Sequence, residues 1–173
     1  METIATQIAR QIERLKVLVV DDEPSMRKVA RALLQSLGIK EIYEAGDGRA
    51  GLDKICTRAP DIVLLDWQMP SLDGPEFMRA LRSPGTFPLP DVPVIMLTAS
   101  SERSRVLEAV ELGVNEYLLK PVSTTALLAR IVSIMVKPRP MVRRGDFYGP
   151  EPRELATYKP GPNEDSNQIF LIN

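Results

Sequence analysis

A chain of 173 residues, 44% of them apolar and with a net charge of −1, suits one domain with extensions. That balance implies neither a nucleic-acid surface nor a membrane surface, and no run approaches the roughly 18 apolar residues of a membrane span. There is no histidine, which excludes Ser-His and Cys-His nucleophilic catalysis, histidine metal ligation and any phosphohistidine carried by this chain. The N-terminus lacks a signal-peptide core, and the single cysteine, Cys56, has no partner for an internal disulfide, so a cytoplasmic location is expected. Cys56 falls in a helical pattern and is expected to be a small core residue.

In chain order, residues 3–15 place Ile4, Ile8, Ile12 and Leu15 on one helical face, with Thr3 as a cap. A helix this short is marginal alone and is expected to pack on its own domain or on another chain. Lys16 to Asp21 reads as a strand. Pro24 suits the first turn of a helix with Met26, Val29, Ala30, Leu33, Leu34 and Leu37 inward and Gly38 as its stop. A second, less apolar strand spans 39–45. Asp47 then caps a helix to about Arg58 with Ala50, Leu52 and Ile55 inward. Ile62-Val63-Leu64-Leu65 reads as a strand buried on both faces and ends at Asp66. A helix is expected over 74–82, a proline loop over 83–91, a strand over 92–97, a helix over 101–112 ending at Gly113, a strand over 115–119, and a helix from Ser123 or Thr124 to Val136.

Strands alternating with helices predict an α/β fold, a doubly wound five-stranded parallel sheet with helices on both faces and every strand's carboxyl end on one rim. The loop over 83–91 follows a helix and falls on the opposite rim. Four strand ends carry chemistry: Asp21-Asp22, Asp66, Thr98 and Lys120-Pro121. Singly, Asp66 has a plain reading as a turn cap, Asp22 and Thr98 as helix caps, and Tyr117 as core. Convergent on one rim, where open α/β sheets bind ligands, they outline a site.

These residues, with Asp66-Trp67-Gln68-Met69-Pro70-Ser71-Leu72-Asp73-Gly74, resemble the receiver domain of bacterial two-component response regulators, in a single-domain, chemotaxis-regulator-like form, over residues 16–137. The resemblance implies a flavodoxin-like strand order 2-1-3-4-5. It implies Asp66 as phosphoacceptor, taking the phosphoryl group from a sensor histidine kinase or phosphotransfer protein. It implies Mg2+ held by Asp22, Asp66 and the backbone carbonyl of Gln68, with Asp21 acting through water. Three clustered carboxylates suit a hard divalent ion with oxygen ligands. Lys120 and Thr98 are expected to bind phosphoryl oxygens, Thr98 and Tyr117 to form the switch, and Gln68 and Ser100 to tune the phosphoryl lifetime. No external substrate is implied; the chain would catalyse only its own phosphorylation and dephosphorylation.

Rival readings fail at particular residues. Gly46-Asp47-Gly48-Arg49-Ala50-Gly51 matches a dinucleotide fingerprint, but it follows the second strand at the sheet edge, while the first βα turn holds Asp21-Asp22-Glu23, which repels a pyrophosphate. A phosphatase with an aspartate nucleophile wants an acid two residues later, where Gln68 stands. From Lys137 the chain holds six prolines and reads as an extended tail over 138–173, beyond the N-terminal helix (1–15) and the receiver (16–137). Phe147-Tyr148-Gly149-Pro150 and Ile169-Phe170-Leu171-Ile172 read as sticky anchors. The tail is long enough to reach the face of the last two helices and last strand, on the same molecule or a homodimer mate, and is expected either to dock there and respond to phosphorylation or to be an inert solubilising extension. Output is expected through a protein partner; the alternatives are a phosphate sink and a DNA-associated regulator using Arg139, Arg143 and Arg144.

Overall fold

Five short apolar runs pair side by side as a parallel sheet of order β2-β1-β3-β4-β5 in the computed structural model, which describes residues 3–152. The strands are β1 (Lys16–Val20), β2 (Glu41–Ala45), β3 (Ile62–Asp66), β4 (Val94–Thr98) and β5 (Glu116–Leu119). The helices are α1 (Ile4–Glu13), α2 (Pro24–Ser36), α3 (Gly48–Arg58), α4 (Gly74–Leu81), α5 (Arg103–Glu111) and α6 (Thr124–Val136). β3 and β4 are buried at every position, as central strands covered on both faces must be. β2, the less apolar run, lies at an edge.

The pleat divides the core in two. Leu18, Val20, Val63 and Leu65 meet Ile55, Phe77, Met78 and Val106, while Val17, Val19, Ile62 and Leu64 meet Ile12, Ala30, Leu34, Leu127 and Ile131. Helices therefore cover both faces. Their ends follow local chemistry. Thr3, Asp47 and Ser123 each accept a backbone N–H at a helix start, and Asp73 with Glu76 closes a full capping box. Pro24 opens α2, and Gly38 stops it at a positive φ of 90° that favours glycine. Ile39 is not in β2, because its N–H turns back to Leu34 O at 3.2 Å.

Three expectations need correction. Cys56 is exposed, not core: Gly48, Gly51 and Ile55 carry the buried face of α3, and Cys56 follows on the solvent side. Val29 is 50% exposed, because α2 buries the narrower stripe of Ala30 and Leu34. The start of the tail is also not extended chain. Met141–Arg144 (β6) and Phe147–Pro150 (β7) form an antiparallel hairpin joined by the two residues Gly145-Asp146, with Gly145 at φ +60.

The hairpin sits against the turn between α5 and β5. Gly113 and Gly149 approach so closely that a Cβ on either would fall 2.7–2.8 Å from backbone across the contact. Arg139 donates to Asn115 O, and the Tyr148 hydroxyl donates to Asp91. Tyr148 and Gly149 thus anchor the hairpin near the amino end of β5, on the rim opposite the one where Asp66 and Lys120 lie, while the Phe147 ring packs on Gly149 within the hairpin. The anchor expected at Ile169–Ile172 lies outside the described residues.

Candidate functional site

Register brings the polar strand ends to one level. Asp66 pairs with Leu97 and Thr98 with Leu119, and the N–H of Lys120 donates to Thr98 O at 2.8 Å. Val20 pairs with Leu65, so Asp21 emerges beside Asp66. The structure brings together Asp21, Asp22, Asp66, Thr98 and Lys120, as their positions at strand ends predict. Lys120 Nζ lies 2.8 Å from Asp66 Oδ1 and 3.4 Å from Asp21 Oδ2. Asp21 is fixed from the chain side as well, for its Oδ1 accepts the N–H of Glu23 at 2.9 Å, and Arg27 donates to its carbonyl oxygen.

Among the described residues, Asp21, Asp22 and Asp66 each bring a carboxylate oxygen to within 4.8 Å of the others. Oxygen donors at this spacing fit a hard divalent cation, and three anions so close call for one. Burial pushes the Asp66 carboxyl above its ordinary value; the bond and charge of Lys120 pull it down, and Asp21 and Asp22 push it up again. For Lys120, burial favours the neutral amine, yet its bonds and attraction to Asp66 and Asp21 outweigh this and raise it. The ammonium therefore stays charged and stands as counter-ion to the acids.

Ser100 joins the remaining pair. Thr98 Oγ1 accepts the N–H of Ser100 at 3.1 Å, and its side chain is also hydrogen-bonded to Tyr117, which acts to lower the Tyr117 pKa. The buried Tyr117 donates its own hydroxyl to Ser100 O at 2.7 Å, and burial raises its pKa. One residue of the β4–α5 loop is therefore bonded to both expected switch residues. Gln68 is exposed at the wall of a cleft of about 710 Å³ that also holds Asp22, Asp66, Thr98, Ser100 and Lys120.

Two of the glycines at 46–51 have a packing role. A Cβ on Gly48 would fall 2.8 Å from Leu72 O, and one on Gly51 would fall 2.9 Å from Val20. Gly51 lets α3 close onto β1, and Gly48 lets its first turn approach Leu72, so packing accounts for two of the three glycines, while Gly46 has only ordinary contact with Arg27. The basic start of the tail is engaged too: Arg139 donates to Glu151 O and Asn115 O, and Arg144 pairs with the Glu151 carboxylate at 3.2 Å, while Arg143 is exposed. Sequence reasoning missed Arg105, which stacks over Trp67 and lines the cleft.

The family model of the response regulator receiver domain matches residues 17–132. The chemotaxis protein CheY of Pseudomonas aeruginosa is 36% identical over 120 residues, covering 69% of this chain and 95% of that protein. CheY-3 of Vibrio cholerae is 34% identical over 122 residues, covering 70% and 92%. Among solved structures, the receiver domain of the Francisella response regulator 1452 superposes with a TM-score of 0.63 at 32% identity, covering 72% of this chain and all, 100%, of that one. CheY in the CheX–CheY–BeF3–Mg2+ complex of Borrelia burgdorferi gives 0.64 at 28%, covering 71% and 90%.

Proposed function

The chain belongs to the response regulator receiver family, and from that premise we propose that Asp66 accepts a phosphoryl group from a phosphohistidine and that the acyl phosphate switches a protein-binding surface. Residues 16–137 act as the receiver, with the N-terminal helix and the segment from 138 as flanking parts. The observation that carries the reading is the Asp66–Lys120 contact at 2.8 Å beside Asp21 and Asp22 on the carboxyl rim of the sheet.

The residues divide the chemistry. Asp66 supplies the nucleophilic oxygen; burial raises its carboxyl above the ordinary value, and the Lys120 ammonium draws it back towards the anion that attacks. Lys120 supplies part of that support and can move from the carboxylate to a transferred phosphoryl oxygen. Thr98 holds a hydroxyl proton for a second oxygen. Asp22, Asp66 and the Gln68 carbonyl would hold Mg2+, with Asp21 through water; the ion supplies charge neutralisation for the phosphoryl group. Gln68 and Ser100, two residues beyond Asp66 and Thr98, tune the phosphoryl lifetime, and neither offers a carboxylate to orient an attacking water strongly.

The switch is a packing event. Ser100 is bonded to Thr98 and Tyr117, so a shift of Thr98 towards a phosphoryl group changes what Tyr117 packs against. The readout face is formed by α5, β5 and α6. Engagement of Arg139 with Asn115 O and of Arg144 with Glu151 favours a protein output over DNA association, and a phosphate sink is the alternative without output.

Beryllofluoride and Mg2+, added together, test the reading. The pair should raise the melting temperature of the wild type, and Asp22→Ala should bind Mg2+ much more weakly and respond little. In chelator the same variant should melt about 1–3 °C higher, because one of three crowded negative charges is gone. A lower melting point in chelator would make Asp22 a structural residue, and an equal response to beryllofluoride would remove it from the metal site.

A further inference from the structure

We infer that Arg105 is the cationic fork that receives the phosphoryl group of an incoming donor before transfer, a role that rests on Asp66 being the phosphoacceptor. Trp67, next in sequence to Asp66, is buried, and the Arg105 guanidinium carbon lies 5.1 Å from its ring centroid. A guanidinium held over a ring by cation–π attraction keeps its planar fork of N–H donors, the group that can grip a phosphoryl group with two parallel bonds. Arg105 lines the cleft that holds Asp66, Thr98 and Lys120. It also lines an adjoining open cleft of about 400 Å³ between Gln68, Pro70 and Asp73. It stands on the wall common to the reaction site and its outer approach.

Charge explains why a donor needs it. An anionic phosphoryl group entering the inner cleft meets Asp22, Glu23, Asp66 and Glu102. Lys120, the other basic side chain there, is already bonded to Asp66 and lies close to Asp21. Arg105 faces a weaker claim: Glu108, one turn on in α5, lies 3.6 Å away, and both side chains are more than a third exposed. Such a pair is worth little in water and gives way to a charge-assisted fork. The ligand class is a phosphoryl donor, either a small acyl or N-linked phosphate or the phosphohistidine of a protein.

The test follows uptake by intact mass with Mg2+ over a salt series, with acetyl phosphate and with phosphoramidate as donors. Arg105→Gln should lower the second-order rate about tenfold and flatten its dependence on salt, because a steering charge is lost. Arg105→Lys should keep the salt slope and lose part of the rate, because the fork is gone but the charge remains. Loss with phosphoramidate alone assigns the fork to N-linked donors, and loss with acetyl phosphate alone to acyl phosphates. A Gln variant within twofold of wild type, or slowed with its salt slope unchanged, overturns the fork while Asp66 stands. No uptake by the wild type overturns both.

Discussion

Arg82→Ala should lower the melting temperature by about 10 °C or more, a large effect for a residue far from the phosphoacceptor rim. Arg82 caps the carboxyl end of α4 and is 6% exposed. Its guanidinium donates to Gly113 O at 3.0 Å, Val92 O at 2.8 Å, Asn115 Oδ1 at 2.9 Å and to Pro90 O. Burial lowers its pKa to about 10, with Asp91 and Tyr148 acting in the opposite direction, so it is charged at neutral pH. A buried cation held by four neutral oxygens joins α4, the proline loop, the segment that leads into β4 and the α5–β5 turn that supports the hairpin. Truncation leaves those acceptors unpaired around a cavity, at a cost of about 3–5 kcal/mol. Thermal unfolding followed by circular dichroism checks this, and a shift below about 2 °C would mean that water replaces the guanidinium freely.

Lys120→Ala should slow phosphoryl uptake about a hundredfold, the scale seen when one charge-stabilising donor is removed. It should also change the pH profile. Burial already raises the Asp66 carboxyl, and Lys120 is what pulls it back down. Without the ammonium the carboxyl rises further, and only the anion attacks phosphorus. The variant's rate should therefore fall away at a higher pH than the wild type's as the solution is acidified. Rates with acetyl phosphate and Mg2+ across the acid range give both numbers. A rate within threefold of wild type, with a superimposable profile, would remove Lys120 from the reaction.

The sheet was legible because its central strands are written as apolar runs that end abruptly. Val17–Val20, Ile62–Leu65 and Val94–Leu97 need both faces covered, and alternation with helices leaves a parallel sheet as the arrangement that covers them. The site was legible for the same reason: a strand that stops at Asp66 or Thr98 puts that residue on the rim. What stayed hidden depends on partners distant in sequence. In the pattern, Arg82 looks like a solvated residue ending a helix, and its burial comes from oxygens at 90, 92, 113 and 115. Glu116 in β5 is buried in the same way, satisfied by Ser133 Oγ at 2.9 Å and Arg130 at 3.8 Å. The stack of Arg105 on Trp67 joins a helix to a loop far back in the chain. The hairpin did leave a local signal, since Gly145-Asp146 between Met141–Arg144 and Phe147–Pro150 is a two-residue turn; the prolines around it obscured that pattern. Val29 and Cys56 show the limit of helical periodicity, which marks a broad apolar face where packing buries a narrower one.

The central claim is that Asp66 is the phosphoacceptor, and peptide-level mass spectrometry after incubation with acetyl phosphate and Mg2+ tests it most directly. The wild type should gain one phosphoryl group, located on the peptide that contains Asp66, and Asp66→Asn should gain none. Equal labelling of the Asn variant, or a phosphoryl group on any other peptide, would contradict the account.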